Sequence, residues 1–351
     1  MLIVRPAALT DLDALERLAR EAGPGMTNLP PDRGTLRERL VGSVAALSEP
    51  ISSPGEESYL LVLEDLDPGT VVGCCAIFGA VGLTRPFYSF RLSKLPHTSR
   101  ELGRFESVEV LQLVDEYAGA SELAMLFLRQ SHRRDGNGGF LSRSRFLFMG
   151  SFPERFAPRV MAEMRGVSDE AGRSILWESL GRHFFDMDFV SADRLSAEGH
   201  YQFIADLMPK FPVYVRLLPK AAQAAIGVPH PHTAPALALL NREGFRYEGC
   251  VDVFDGGPTV HCPMTQIRTI QDRALAPVGA ISEVCTGPPH LIAKSQSDAA
   301  GQLSFRACRG ALSVGRDGTA QVDREVAIAL GLSIGDELSF VPDSRRTQSE
   351  A

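Results

Sequence analysis

The sequence has little of what marks secreted, membrane and metal-binding proteins. Its six cysteines form no CxxC pair and no His/Cys cluster at zinc spacing, which argues against a structural metal or a disulfide framework. The longest weakly polar stretch, Val71–Leu83, is shorter than the roughly 20 residues of a membrane-spanning helix. Arg5 and Asp11 interrupt the first apolar residues before a secretory signal can develop. We therefore expect a cytoplasmic protein with reduced thiols, no bound metal and no membrane association.

Basic residues are not in excess either. Lys and Arg together number 36 and Asp and Glu 43, which gives a formal net charge of −7. This balance excludes a general electrostatic footprint for nucleic acid, so any anionic ligand must be held by a local site. The 44% of hydrophobic and 23% of charged residues are typical of a globular protein. At roughly 150 residues per domain, the chain is long enough for two or three domains.

The first 80 residues predict a strand, two helices and a hairpin. Thr10 is expected to cap the first helix, because the acidic Asp13 follows three positions later. A second helix is predicted from about 32 to 47. The turn signal at residues 67–69, Asp-Pro-Gly, joins two apolar runs into a hairpin. The segment from 86 to 104 is basic and aromatic and shows no regular pattern.

The middle of the chain carries the strongest local signals. Ser121–Gln130 predicts an apolar strand, followed by a basic, glycine-rich turn and a helix from about Phe140. A further helix is predicted over residues 174–189. After about residue 272, short apolar runs alternate with Gly, Pro, Ser and Asp, which favours a small β-rich domain.

The turn at residues 133–139 has a direct physical use. Successive backbone N–H groups at a helix N-terminus point at one spot, and the helix dipole adds positive potential there. Gly136 and Gly138 are expected to allow positive φ and close approach beside Gly139, while Arg133 and Arg134 can neutralise phosphate charge. No G-K-S/T follows, and the glycine spacing is not that of a dinucleotide-binding fold. The turn predicts a pyrophosphate cradle, although a plain basic connection would have the same sequence.

The order of these elements resembles the GCN5-related N-acyltransferase fold, in which the equivalent turn binds the coenzyme A pyrophosphate. Arg133, Gly136 and Gly138 match its Q/R-x-x-G-x-G/A pattern. From about Leu2 to Ile270 the chain is more specifically similar to the arginine N-succinyltransferase family. The segments that carry this resemblance are SVEVLQLVDEYAGASEL, GNGGFLSRSRFLFM, FPERFA, AEMRGVSDEAGRS, LGRHFFDMDF, VYVRLLP and EGFRYEGCVDVFDGGPT.

The resemblance implies a fold and an activity. The fold is α+β, with a mixed sheet flanked by helices in two related halves, to which the β-rich segment adds a small barrel-like domain. The implied reaction transfers succinyl from succinyl-CoA to the α-amino group of L-arginine, with ornithine as a possible second substrate, in arginine catabolism. Succinyl-CoA is then a co-substrate, and no tightly bound cofactor is expected. The chain would form a homo-oligomer or pair with a similar subunit.

Two functional positions are implied by the resemblance. Leu126 corresponds to a residue assigned to succinyl-CoA binding, and His230 corresponds to the proton donor of a VHPxT segment. The sequence departs from the family pattern at both places. Ala124-Met125 stands where Cys-Thr is expected, and Pro229 and His232 alter the surroundings of His230. The histidine assignment could therefore shift by two positions.

Other side chains are candidates for substrate contacts. Arg165 could hold the succinyl carboxylate in a bidentate manner. The remaining candidates for a carboxylate, guanidinium or α-amino contact are Arg182, His183, Glu106, Glu109 and Asp188. Each also has an ordinary explanation: Leu126 as a core residue, the histidines as loop cover, and the charged residues as solvated surface.

The predicted organisation has four parts. Residues 1–200 are expected to form the N-acyltransferase-like domain, and 201–274 a second α/β half that completes the substrate site. Residues 275–342 form the small β-rich domain, expected to serve assembly or shielding, and 343–351 form a frayed tail. Two alternatives remain open: an acyltransferase with another acyl-CoA or amine specificity, and a non-catalytic partner subunit of such an enzyme.

Overall fold

The computed structural model describes residues 1–23, 26, 28–169, 172–189, 191–192, 195, 202–298 and 300–343. Most of the predicted tail, 344–351, lies outside this set. The strands are β1 (Leu2–Pro6), β2 (Ser58–Asp65), β3 (Thr70–Phe78), β4 (Ser89–Ser99), β5 (Arg104–Val114), β6 (Ser121–Leu128), β7 (Arg159–Glu163), β8 (Val213–Tyr214), β9 (Arg246–Asp252), β10 (Pro258–Pro263), β11 (Ala274–Ser282), β12 (Pro289–Ser297), β13 (Leu303–Val314), β14 (Ala320–Asp323) and β15 (Glu337–Pro342).

Helices lie between many of these strands. They are α1 (Leu12–Ala22), α2 (Arg33–Ser48), α3 (Asn137–Ser151), α4 (Ile175–Ser179), α5 (Arg182–Phe185), α6 (Gln202–Leu207), α7 (Lys220–Ala225), α8 (Ala234–Arg242), α9 (Arg268–Gln271) and α10 (Arg324–Leu330). Within the described ranges, no helix is both long and apolar enough to cross a membrane.

Contacts divide the chain into two compact units, each discontinuous in sequence. The first comprises Met1–Gly79, Leu123–Ala157 and Met264–Ala351, and the second comprises Ala80–Glu122 and Pro158–Pro263. The linear boundaries expected after residues 200 and 274 do not coincide with this division, and they stay predictions about the organisation of the chain.

In the first unit, β1, β2, β3 and β6 lie side by side in that order. Helices α1 and α2 cover this sheet through a core of buried side chains: Leu15, Leu18, Leu36, Leu40, Leu60 and Val62. The Asp32 carboxylate caps α2 by accepting the Thr35 N–H at 2.7 Å. The expectation for α1 is wrong, because Asp11 and not Thr10 occupies the cap position. The Asp11 carboxylate instead accepts the Ala8 N–H and two hydrogen bonds from Arg5, and these fix it.

The C-terminal strands of the first unit close into a five-stranded barrel. β11 pairs with β14 and β15, β12 pairs with β13 and β15, and β13 pairs with β14. Closure leaves no strand edge unpaired, and the barrel interior is filled by buried side chains. The mixed helix and strand architecture and the C-terminal barrel are thus confirmed. The barrel is continuous with the N-terminal sheet, since Ile3 of β1 pairs with Cys308 of β13.

In the second unit, β4 and β5 form a long hairpin that pairs Ser89 with Val114 at one end and Ser99 with Arg104 at the other. Strand β4 lies in the segment from 86 to 104, for which the sequence pattern predicted no element. This segment contains Pro96, which cannot donate a ladder hydrogen bond, and its half near the hairpin tip is exposed. Register with β5 therefore determines this strand, whose own sequence lacks the usual alternation.

The single helix expected over 174–189 is also wrong, because α4 ends at Ser179 and α5 begins at Arg182. Gly181 packs against the indole of the buried Trp177, and a Cβ built on Gly181 would lie 2.3 Å from that ring. The helix breaks at Leu180, whose φ of −134° and ψ of −70° are not helical. The strand at 121–130 and the helix after the glycine-rich turn are confirmed as β6 and α3, with α3 beginning at Asn137.

Candidate active site

Strand β6 has an unusual backbone conformation at Met125. This buried residue adopts φ of +56°, a left-handed conformation that residues with a side chain rarely take. It turns the adjoining peptide groups out of the regular pleat, next to the half-buried Leu126. Because such strain persists only where the surroundings impose it, and often at functional sites, we single out this kink. No glycine in β6 signals it in the sequence.

The turn between β6 and α3 is shaped by two consecutive left-handed residues, Asp135 with φ of +51° and Gly136 with φ of +65°. The Asn137 N–H donates to the Arg134 carbonyl at 3.0 Å, and the Phe140 N–H donates to the Gly136 carbonyl at 3.0 Å. Between them, the N–H groups of Gly138 and Gly139 lie in the first turn and have no acceptor within their own helix. These two are available to an anion at this end of α3.

The glycines of this turn have different roles from those expected. Only Gly136 needs positive φ; Gly138 is a right-handed helical residue, so the expectation of positive φ there is wrong. A Cβ built on Gly138 meets no atom within 4 Å, so this side of the turn is open. Gly139 follows it in the first turn of α3. A ligand could thus approach the backbone at Gly138 closely.

The two arginines of the turn are held differently. Arg133 Nε donates to the Leu128 carbonyl at 2.8 Å, and its guanidinium lies 5.5 Å from the centre of the Phe127 ring. Arg133 therefore ties the turn to the end of β6. Arg134 is exposed, with Nε 3.8 Å from the Asp135 carboxylate. Its charge is the more accessible of the two to an incoming phosphate.

In the second unit, the loop before α8 places His230 against the segment after β7. The His230 N–H donates to the Arg165 carbonyl at 2.7 Å, and Pro229 forms a β-bridge with Gly166. The Thr233 hydroxyl donates to the His230 carbonyl at 2.9 Å. The loop is therefore fixed by its backbone, and the half-buried imidazole is held by its own main chain.

The surroundings of the His230 imidazole favour its neutral form. Partial burial lowers its pKa, and the Arg165 charge and the neighbouring His232 lower it further. Its Nδ1 accepts the His232 N–H at 3.1 Å. The neutral ring then carries its proton on Nε2, which can donate but not accept. His232 itself is exposed, and its ring lies edge-on to that of His230.

Asp255 is a residue that the sequence interpretation missed. Its buried carboxylate accepts the Gly166 N–H at 2.7 Å and the Gly257 N–H at 2.8 Å. Burial raises the pKa of Asp255, and these two N–H groups and the Arg165 charge oppose the rise. Asp255 thereby anchors the Arg165-Gly166 segment on which His230 rests. The only signal was the DGGPT turn, which by itself predicts a turn and no longer contact.

The other predicted contacts are distributed over the second unit. Arg165 lies beside His230, and one guanidinium nitrogen is 3.5 Å from the Ser168 hydroxyl. Most of the remaining candidates are exposed and have local partners. Arg182 pairs with Glu178 at 2.5 Å, Glu106 with Arg216 at 3.1 Å, Glu109 with Lys94 at 4.0 Å, Asp188 with Ser191, and His183 is exposed on α5.

The cysteines and acidic groups form no metal site in the part of the chain that the structure describes. No group of three or more His, Cys, Asp or Glu side chains there is arranged to hold a metal ion. The six cysteines are buried and free, and burial raises the pKa of Cys75 to about 12. A buried thiol that stays protonated is a poor nucleophile or ligand.

Known proteins similar to this chain define its family. Residues 2–269 match the family described as arginine N-succinyltransferase beta subunit. An arginine N-succinyltransferase from Enterobacter sp. strain 638 is 46% identical over 300 residues, which cover 85% of this chain and 87% of that protein. One from Escherichia coli K12 / DH10B is 45% identical over 289 residues, 82% of each. The chain belongs to the arginine N-succinyltransferase family.

A solved structure supports the same conclusion. The arginine/ornithine succinyltransferase subunit AI from Pseudomonas aeruginosa is 37% identical and superposes with a TM-score of 0.86, over 97% of this chain and 98% of that one. The members of this family are acyltransferases, so this chain is an enzyme that transfers an acyl group. The coverage extends through the C-terminal barrel, beyond the residues that the family description matches.

Proposed function

We propose that the chain transfers succinyl from succinyl-CoA to the α-amino group of L-arginine. The observation that carries this proposal is 46% identity over most of the chain to arginine N-succinyltransferases, combined with a shared fold at a TM-score of 0.86. The described structure supplies groups suited to the two halves of the reaction: main-chain donors in the first unit and a neutral imidazole in the second.

The coenzyme A pyrophosphate would bind at residues 133–139. The N–H groups of Gly138 and Gly139 begin α3, where the helix dipole favours an anion. The exposed Arg134 would add a charge-assisted contact, while Arg133 holds the turn to β6. The open space at Gly138 supports this location, because a backbone can be approached there without displacing a side chain.

The thioester carbonyl would lie along β6 near Met125 and Leu126. Attack of the α-amino group forms a tetrahedral oxyanion, which preorganised N–H groups can stabilise by roughly 3 kcal/mol. The left-handed conformation of Met125 supports this role, since it frees peptide groups from the regular pleat. Ala124 and Met125, which stand in place of the expected Cys-Thr, are buried, and a main-chain contact would not use their side chains.

His230 would relay a proton from the attacking amine to the departing coenzyme A sulfur. The α-ammonium first loses one proton to solvent; as the C–N bond forms and the C–S bond breaks, His230 Nε2 takes up the second amine proton and passes it to the thiolate. The ring must then carry its own proton on Nδ1, so the contact of Nδ1 with the His232 N–H is given up when His230 acts. Its half-buried position favours His230 over His232, which is exposed.

The finer features of the fold and assembly belong to the same proposal. We expect two related halves of the GCN5-related N-acyltransferase type, with the succinyl carboxylate held by Arg165. A family described as a beta subunit and a solved relative called subunit AI support assembly with a similar subunit or with copies of the chain. The cytoplasmic location predicted from the sequence stays a prediction.

The test is free-thiol release by the purified chain. Succinyl-CoA with L-arginine should give rapid release, acetyl-CoA with L-arginine much less, and succinyl-CoA without an amine almost none. Replacing arginine by ornithine measures the second substrate. Preferred use of acetyl-CoA would assign another acyl specificity. Binding of coenzyme A without turnover would make the chain a non-catalytic partner.

A further inference from the structure

The Arg309 side chain on β13 of the C-terminal barrel contacts the glycine-rich turn. One terminal nitrogen donates to the Asp135 carbonyl at 2.8 Å and to Asn137 Oδ1 at 2.9 Å. The other donates to the Gly136 carbonyl. The guanidinium therefore binds three acceptors on three consecutive residues, all within the first unit.

The guanidinium is also fixed on its other sides. Arg309 Nε lies 3.3 Å from the Asp343 carboxylate, and the guanidinium carbon lies 5.0 Å from the centre of the Phe140 ring. The Arg309 side chain is 17% exposed and that of Asp343 is 9% exposed. A planar guanidinium that contacts both a carboxylate and an aromatic ring has little freedom to rotate. The contacts to the turn are thus made by a rigid group.

These contacts stabilise a costly backbone shape. Asp135 and Gly136 are both left-handed, and for Asp135 this conformation is unfavourable without support. Each carbonyl shares a rigid peptide plane with the N–H of the following residue, which points the opposite way. Holding the carbonyls of Asp135 and Gly136 toward Arg309 therefore fixes how the turn enters α3. It thereby orients the start of α3, whose next residues, Gly138 and Gly139, carry the N–H groups that would receive the pyrophosphate.

We propose that Arg309 is a positioning residue for acyl-CoA, because it holds residues 133–139 in the shape that receives the pyrophosphate. The inference rests on the proposed function, which places the pyrophosphate on this turn. It gives the barrel a part in substrate affinity, in addition to the assembly or shielding expected from its sequence. Arg309 acts through the turn and touches no reacting atom.

The experiment compares Arg309→Ala and Arg309→Lys with Arg306→Ala. Arg306 lies on the same strand, is exposed, and donates to the Ala329 carbonyl of the barrel at 3.3 Å. We measure the dissociation constant of coenzyme A and the KM values of succinyl-CoA, of succinyl-pantetheine thioester and of arginine. The pantetheine thioester carries no phosphate. Thermal unfolding of each variant reports on folding.

Arg309→Ala should weaken coenzyme A binding by about ten- to a hundredfold, as expected for lost support of hydrogen bonds to a charged group. The KM of the pantetheine thioester and that of arginine should stay unchanged. Arg309→Lys should restore little, since one ammonium cannot replace a fork that binds three acceptors. Arg306→Ala should match the wild type in every measurement.

Two results would overturn the inference. One is unchanged coenzyme A affinity in a folded Arg309→Ala or Arg309→Lys protein. The other is an equal loss for coenzyme A and the pantetheine thioester, which would indicate general damage. If Arg309→Ala does not fold, Arg309→Lys decides. Failure of the proposed function is distinct, because the wild type would then bind coenzyme A without releasing thiol from succinyl-CoA and arginine.

Discussion

The turn at residues 133–139 presents main-chain N–H groups, whereas the loop at His230 presents a side chain, and different contacts hold the two. The turn depends on left-handed backbone at Asp135 and Gly136. The loop depends on hydrogen bonds to a segment some 65 positions away, at Arg165, which the buried Asp255 anchors in turn. The sequence therefore indicates the turn through its glycine pattern. It gives no comparable local pattern for the contacts that hold the His230 loop.

The largest effect is expected at the side-chain site. His230→Ala should lower kcat by roughly 10²- to 10⁴-fold, the range for a positioned acid or base, with little change in succinyl-CoA affinity. His232→Ala is the matched control and should do much less, because it retains the N–H that contacts His230 Nδ1. Parallel steady-state kinetics on both variants provide the measurement.

Three outcomes of that experiment are distinguishable. A His230→Ala enzyme within about threefold of the wild type removes His230 from the mechanism. The reverse order of the two variants would move the assignment by two positions, to His232. Equally small decreases in kcat for both variants would indicate that neither histidine takes part in the reaction and that both only cover the loop surface.

Coenzyme A binding at the main-chain site should be weakened by adding a bulky side chain, because no side-chain functional group is there to remove. Gly138→Val should reduce coenzyme A affinity roughly ten- to a hundredfold, because its side chain obstructs hydrogen bonds to the pyrophosphate. Gly42→Val is the matched control: Gly42 is also helical, and a Cβ there also meets no atom within 4 Å. Calorimetric titration with coenzyme A measures both. An unchanged affinity in folded Gly138→Val would place the pyrophosphate elsewhere.

A smaller effect is expected from the support of the His230 loop. Asp255→Asn replaces an acceptor by an amide that can present a donor to the Gly166 N–H, so kcat should fall about tenfold through misplacement of the loop. Unfolding free energy should fall by about 1–3 kcal/mol. Coenzyme A affinity should not change. Asp317→Asn, at an exposed turn of the barrel, serves as the control. Full activity of Asp255→Asn would show that the position of His230 does not depend on the Asp255 carboxylate.

The smallest expected effect is a shift in the pH dependence of the rate. Burial lowers the pKa of His230 first, and the Arg165 charge lowers it further, so Arg165→Gln should raise that pKa toward its ordinary value. Since neutral His230 is the active form, the acid-side loss of rate should move to higher pH. NMR titration of His230 measures the pKa directly, with Arg173→Gln as a control for an exposed arginine paired within its own turn. A lower or unchanged pKa in Arg165→Gln contradicts this account.

Local signals predicted much of the fold. The helix from about residue 32, the hairpin of β2 and β3, the strand before the glycine-rich turn and the helix after it depend on neighbours within a few residues. The alternation of apolar runs and turns after residue 272 likewise predicted strands, because barrel strands carry their own periodicity. The activity was predicted from the resemblance of particular sequence segments to a known family, and composition alone could not have predicted it.

Errors arose where contacts with other residues, and not the local sequence pattern, decide the conformation. Strand β4 forms because β5 pairs with it, although its sequence contains Pro96. The helix predicted from residue 174 breaks at Leu180, whose backbone is not helical. Thr10 does not cap α1, since Arg5 fixes Asp11 in that place.

By itself, the sequence determined the family, the glycine-rich turn, the histidine beside Pro229 and the β-rich character of the C-terminal segment. Each of these is encoded by residues close together in the chain. Only the tertiary structure decided that Met125 is left-handed, that Asp255 anchors the His230 loop and that Arg309 grips the turn. The last of these contacts joins residues more than 170 positions apart, and such a pairing is determined by strand register and packing, which leave no local pattern in a single sequence.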